Sequence, residues 1–246
     1  MEFFQRDRRM LYGIIAIIVF LSLFSYLRNI QGIVTLLMSV PGVLIAITFH
    51  EYAHAFTAYK LGDDTAKSQG RLTLNPFRHT DPLGLLMLLF LGFGWGRQVQ
   101  IDSRNFNRKM SINKAEAIVA FAGPAMNFIL AILFSVITGL ALKFGWLNSL
   151  NMRASQIILT ILEITISINI GLGVFNLIPL PPLDGSKILS AFLPYQARDW
   201  FSRNEQIFYI VFLVIWISGI ASLIIAPIIN VIYNGLLDLI LAIIGV

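Results

Sequence analysis

The chain has 246 residues, of which 57% are hydrophobic and only 13% charged, with a formal net charge of +5 and a mean hydropathy of +0.78. That balance excludes an ordinary soluble domain and points to an integral membrane protein, because a spanning helix needs about 20 mostly apolar residues and this chain supplies several. There is no cysteine, so disulfides, thiolate metal sites and cysteine nucleophiles are excluded, and any metal must be held by His, Asp or Glu.

The first apolar run, 11–27, follows Arg6, Arg8 and Arg9 and is trailed by no small-x-small cleavage site, so it reads as a retained anchor. The second, 33–59, carries Pro41 near its start and the polar string His50, Glu51, His54 before Lys60. Residues 83–93 are apolar but amount to about half a span at 1.5 Å per residue, which predicts a re-entrant or interfacial segment. Further spans are predicted at 118–142, 157–178, 207–225 and 227–244, the last two divided only by a turn at Ala226 and Pro227. Residues 70–74 and 97–101 are the strand-like pieces, expected to pair at the cytosolic face. The expected fold class is therefore an all-α integral membrane protein. It has about six transmembrane helices, with a re-entrant segment and a small β element between spans two and three, in one polytopic domain.

Charge placement sets the expected orientation. With the N-terminus inside, fifteen lysines and arginines fall in inner loops and three, Arg28, Lys143 and Arg153, in outer ones. This positive-inside bias, with six spans, puts both termini in the cytosol. The same distribution in short loops explains the net charge by topology and lipid headgroups, so no nucleic-acid partner is expected.

His50-Glu51-Tyr52-Ala53-His54 is the most informative string. Imidazoles four residues apart share one helix face and can reach one metal ion, while the intervening Glu can hold the attacking water. With three His and five Glu in the chain, the expected number of chance H-E-x-x-H matches is on the order of 0.0005. Ionisable groups inside a span are costly and by default functional. Lys60 marks the cytosolic edge; His54 and His50 lie six and ten residues back, about 9 and 15 Å into the hydrocarbon, so water must be admitted there.

A catalytic zinc takes three protein ligands and keeps a fourth position open. No third His follows at H-x-x-G-x-x-H spacing, and the next Glu is Glu116. The candidates are His79, Asp81 and the isolated aspartates. Among these Asp184 stands out, because Pro179, Pro181 and Pro182 precede it and forbid a regular helix. Unwound backbone at membrane depth is tolerated only where it lines protein or water, which sets Asp184 beside a cavity.

HEYAH in one span and Asn176-x-x-Pro179-x-x-Pro182-Leu183-Asp184-Gly185 after a later one resemble the site-2 protease family, zinc metalloproteases that cut within the membrane. The likeness extends to Gly123-Pro124-Ala-Met-Asn127, and to Gly70-Arg-Leu-Thr-Leu-Asn75-Pro76 with His79 and Asp81, covering roughly 40–190. The resemblance implies one zinc ion ligated by His50, His54 and Asp184, Glu51 as general base, and Asn176 steadying the tetrahedral intermediate. It implies a catalytic core at about 33–190 with accessory spans at 11–27, 207–225 and 227–244. Ser186 stands where many members have a second glycine. The chain resembles the compact form without PDZ or CBS modules, which implies a prokaryotic cell membrane and transmembrane proteins as substrates.

The expected activity is hydrolysis of peptide bonds within or near transmembrane segments. Such substrates must present unwound backbone, and 70–74 and 97–101 would clamp it by strand addition. A metal transporter or a non-catalytic scaffold using the same ligands are the alternatives. A transporter usually builds sites from paired broken helices of internal repeats, and none is seen here. Gly123 and Asn127 read first as close-packing and polar contacts between helices. His79 with Asp81 reads equally as a gate or outlying zinc-site pair and as a loop histidine that merely makes hydrogen bonds, and Glu163, in mid-span, has no assigned role.

Overall fold

The computed structural model describes residues 30–91 and 96–245; the anchor expected at 11–27 lies outside the described residues. The helices run in chain order α1 (Ile30–Lys60), α2 (Thr65–Ser68), α3 (Pro82–Leu91), α4 (Ile112–Lys143), α5 (Met152–Asn176), α6 (Asp184–Ser190), α7 (Tyr195–Arg203), α8 (Glu205–Ile217) and α9 (Ile220–Ile244). Four of these, α1, α4, α5 and α9, are long and apolar enough to cross a membrane, which makes this a multi-pass membrane protein.

Close approach of α1, α4 and α5 forms the core. Lipid tails are as apolar as the helices, so association rests on packing and interhelical hydrogen bonds, and small residues are favoured at the contact. Ala46, Ala55 and Ala58 of α1 are fully buried. A Cβ on Gly42 would stand 2.8 Å from Thr165 Oγ1 of α5, so only glycine admits that crossing. Ala58 packs with Ala115 and Val119, which sets the Lys60 end of α1 beside the start of α4. Pro41 and Pro124 lie inside helices that continue through them.

Three features differ from the sequence-based expectation. First, no strand forms among the described residues; the pairing there is one isolated bridge, Thr80 with Gly96. Side chains occupy groups a ladder would have used: Arg71 donates to the Arg97 and Gln98 carbonyls, and Val99 N–H donates to Glu51. Second, the expected span 207–225 is broken, with α8 stopping at Ile217 and Gly219 adopting φ +77. Only glycine takes that left-handed conformation without steric cost, so the chain turns there, and Pro227 lies within α9. Third, α9 ends where α4 ends: Lys143 donates to the Ile244 carbonyl, and a Cβ on Gly139 would meet Ile244. The end of α9 therefore lies opposite the Lys60 end of the bundle. Lys143 and the end of the last span were expected apart; here the two helix ends meet.

Loops 61–64 and 102–107 are tied to each other by Asp63, which is fully buried. Its carboxylate accepts from Thr65 N–H and hydroxyl, Asn105 Nδ2 and Asp102 N–H. Burial opposes its ionisation, but the bonds from Asn105, Thr65 and Asp102 outweigh burial and hold the carboxyl below the ordinary range. Its contribution is complete above the unfolded-state pKa and is lost as pH falls through the lower folded value. Asp63→Ala strands several buried donors and is expected to cost about 3 kcal/mol, read as a lowered thermal midpoint in detergent at neutral pH.

Candidate functional site

His50 and His54 project from the buried side of α1, one turn apart, toward a matching stripe on α4. Val119, Gly123 and Asn127 recur there every four residues. His54 Nδ1 is 2.7 Å from the Val119 carbonyl, and His50 Nδ1 is 2.7 Å from Asn127 Oδ1. Gly123 lies between: a Cβ there would be 2.4 Å from His54 Nε2 and 2.6 Å from His50 Cε1. The absent side chain leaves the room in which both imidazoles meet.

The hydrogen bonds fix the tautomers. Asn127 Nδ2 donates to the Ala46 carbonyl and to Asn169 Oδ1, and Asn169 Nδ2 donates to the Thr165 carbonyl. Carbonyl oxygens only accept, so the Asn127 amide can turn only its oxygen to His50. Both imidazoles therefore donate through Nδ1, and each Nε2 presents its other valence inward.

Asp184 meets them from the far side of the bundle. After α5 the proline-rich segment 177–183 turns back, and Gly185 passes the end of α5 so closely that a Cβ would lie 2.4 Å from the Ile178 and Leu177 carbonyls. Ser186, buried, donates to the Leu183 carbonyl at 2.7 Å and closes the turn. Asp184 Oδ2 thereby comes within 3.1 Å of His50 Nε2 and 3.2 Å of His54 Nε2, and the two Nε2 atoms are 3.0 Å apart.

The donor set can be tested for a metal. Two Nε2 atoms with their Nδ1 protons already committed, and a buried carboxylate oxygen that accepts no hydrogen bond, all converge. Three electron-rich atoms at this separation repel unless a cation lies among them, and one proton satisfies only one pair. Ligand atoms about 2.0–2.1 Å from a tetrahedral ion stand roughly 3.3 Å from one another. The observed triangle of 3.0, 3.1 and 3.2 Å fits that spacing closely.

Glu51 and Asn176 share a cleft of about 740 Å³ with the three groups. The Glu51 carboxylate is buried, and its Oε2 accepts from Val99 N–H at 2.9 Å. Packing of Val99 with Ala55 and Ala66 holds that segment against α1. Asn176 Nδ2 donates one proton to the Leu172 carbonyl, 3.0 Å away, and carries a second. Tyr209 and Phe212 of α8 line the same space.

The other candidates lie apart from this cluster. His79 is fully buried with Nε2 2.7 Å from the Thr73 carbonyl, so it orders the 73–79 loop. Asp81 Oδ1 accepts from Gly84 N–H at the start of α3. Glu163 is exposed on α5.

A multi-pass helical protein with a buried pair of histidines and a carboxylate is one class of membrane metalloprotein. Residues 38–219 match the model of peptidase family M50, and the chain belongs to that family, the one containing the site-2 proteases. It is 39% identical over 203 residues to "Putative zinc metalloprotease YwhC" of Bacillus subtilis, covering 82% of this chain and 90% of that one. It is 30% identical over 198 residues to "Putative zinc metalloprotease Rip2" of Mycolicibacterium smegmatis, covering 78% and 71%. No solved structure matches it.

Removing the carboxamide in Asn127→Ala frees the His50 ring and strands two buried acceptors. Loss of such a supporting contact is expected to weaken metal affinity about 10- to 100-fold, measurable by chelator competition on the purified protein.

Proposed function

We propose that the protein is an intramembrane zinc endopeptidase that hydrolyses peptide bonds within or near transmembrane segments of other membrane proteins. The observation that carries this reading is the meeting of His50, His54 and Asp184, all within 4.8 Å, beside the Glu51 carboxylate and on helices of membrane-spanning length. These three residues would hold the ion. Bound there, zinc supplies Lewis acidity, lowering the pKa of water toward 7 and polarising a carbonyl.

The rest is done by the chain. Glu51 is near enough to the imidazoles to take the proton of the attacking water and later return it to the leaving amine. Val99 N–H fixes the carboxylate through Oε2 and leaves Oε1 for that transfer. The second N–H of Asn176 is available to an oxyanion developing in the cleft. Burial of the site limits competing water and strengthens each of these electrostatic contacts. A substrate helix must unwind to enter, because its carbonyls are otherwise hydrogen-bonded and shielded, so single-span substrates with helix-breaking residues near the cut fit best.

Orientation belongs to the same proposal. The inner loops carry the basic residues, the N-terminus is cytosolic, and the end of α9 shares the outer side with Lys143. No Lys or Arg follows Arg203, so the charge bias is unaffected by where the last helix ends. A reporter active only outside the cytosol, fused after Val246, should be active; one active only inside would reverse this assignment.

Glu51→Gln preserves an oxygen for Val99 N–H while abolishing the base. The variant should retain its metal, and cleavage of a transmembrane substrate in vesicles should fall by at least about 100-fold. A metal transporter would keep its flux in this variant. Withdrawing metal with a chelator should stop cleavage by the native chain, and zinc alone should restore it.

A further inference from the structure

A second cleft, of about 490 Å³, opens on the other side of segment 97–100 and is lined by Gln69, Arg71, Arg78, Arg97, Gln98 and Gln100. Three guanidinium-bearing residues line it and no carboxylate does. Among the described residues the arginines in ion pairs are Arg104 and Arg203, and neither lines this space. Arg71 is 8% exposed, with Nη1 donating to the Arg97 and Gln98 carbonyls at 3.3 and 2.6 Å. Burial, then the charges of Arg97 and Arg78, pull its pKa down against the attraction of Glu51. Like charges are gathered here with no ion pair to any of the three among the described residues.

We propose that this cleft binds a phosphate group, carried by the headgroup of an anionic phospholipid or free in solution. Three guanidinium forks surrounding one space suit an anion with several oxygens in three dimensions; a flat carboxylate is satisfied by one fork. The setting favours the lipid. The loop that carries Arg71 and Arg78 also exposes Leu74 (48%) and Phe77 (83%), and it leads directly into the wholly apolar α3. Basic pockets at the cytosolic ends of membrane helices, flanked by apolar groups at the headgroup level, are suited to anionic lipids.

Occupancy has a consequence for the metal centre, and this part rests on the peptidase reading. The Arg71 fork grips the Gln98 carbonyl while the next residue, Val99, donates to Glu51. An anion that relieves repulsion on Arg71 steadies the segment that orients the base, so the lipid acts as a positive effector.

Binding is measured on the Glu51→Gln full chain in neutral detergent, with fluorescent phosphatidylglycerol followed by anisotropy, so no cleavage is needed. Arg78 and Arg97 are exposed, and their replacement should leave the fold intact. At about 1 kcal/mol per arginine at an anionic surface, Arg78→Gln with Arg97→Gln should weaken binding roughly thirtyfold. Arg108→Gln with Lys109→Gln, outside the cleft, should change it less than about threefold. Millimolar inorganic phosphate that displaces the lipid and raises the thermal midpoint identifies free phosphate as the source; failure to displace identifies the headgroup. Either result supports the proposal. Equal binding by the cleft variant, equal loss in the control, or displacement only by a Glu-rich peptide overturns it.

Discussion

The structure depends on keeping three proton acceptors together in a buried site. Two bare imidazole nitrogens and a carboxylate oxygen at 3.0–3.2 Å repel strongly where the dielectric constant is low, and a divalent cation turns that repulsion into the adhesive of the site. The fold supplies the rest of the restraint. Each imidazole is held from behind, His54 by the Val119 carbonyl and His50 by an amide that is itself pinned by Ala46 and Asn169. Metal-binding histidines characteristically need such partners to fix their tautomer and ring plane.

The helix packing follows from this demand. His50 and His54 on α1 face Val119, Gly123 and Asn127 on α4, all at a spacing of four, so two antiparallel helices meet along one turn-matched stripe. Thr165 and Asn169 extend the same periodicity onto α5, where Thr165 meets Gly42 and Asn169 meets Asn127. A buried polar network of this kind is costly unless fully satisfied, and each member here has its partner. On the solvent side, segment 96–106 completes the cleft. It is anchored by Val99 and Phe106 in the apolar clusters against α1 and α4, while Val99 N–H reaches Glu51.

Much of the site was legible because its chemistry is local. A His-Glu-x-x-His helix leaves little freedom in where its imidazoles point, and a carboxylate after three closely spaced prolines cannot continue a helix, so the nearness of Asp184 to the histidines could be anticipated. From the residues themselves Asn127 and Gly123 were legible as packing residues, and only the family resemblance set Asn127 near the site. The signal for their closer role was the spacing of four from Val119 to Gly123 to Asn127, which becomes meaningful only when α4 is laid against α1. Val99 and Asn169 gave no such signal, since their contribution is a main-chain N–H and a contact to another amide. His79 and Asp81 looked like ligands by residue type, yet His79 Nε2 bonds the Thr73 carbonyl and Asp81 Oδ1 accepts from Gly84 N–H, and neither belongs to the group of metal-holding residues. The long helices were readable from hydropathy. The β element was not, because the alternation in 97–101 reflects Val99 and Ile101 packing inward, while the Arg97 and Gln98 carbonyls and the Val99 N–H are taken by the Arg71 and Glu51 side chains instead of a neighbouring strand. The final turn was misplaced because a glycine at positive φ decides it, whereas Pro227 is tolerated inside a helix shielded from water. With no basic residue after Arg203, charge gives no check on where that last turn falls.

The most direct measurement is X-ray absorption at the zinc edge on the purified Glu51→Gln chain loaded with one equivalent of zinc, beside the same chain carrying Asp184→Ala. Two imidazole nitrogens and a carboxylate oxygen at about 2.0–2.2 Å, with the carboxylate contribution and most of the affinity lost in the Asp184 variant, are the expected result. A spectrum without imidazole scattering, or one unchanged by Asp184→Ala, would contradict the convergence on which the site is built.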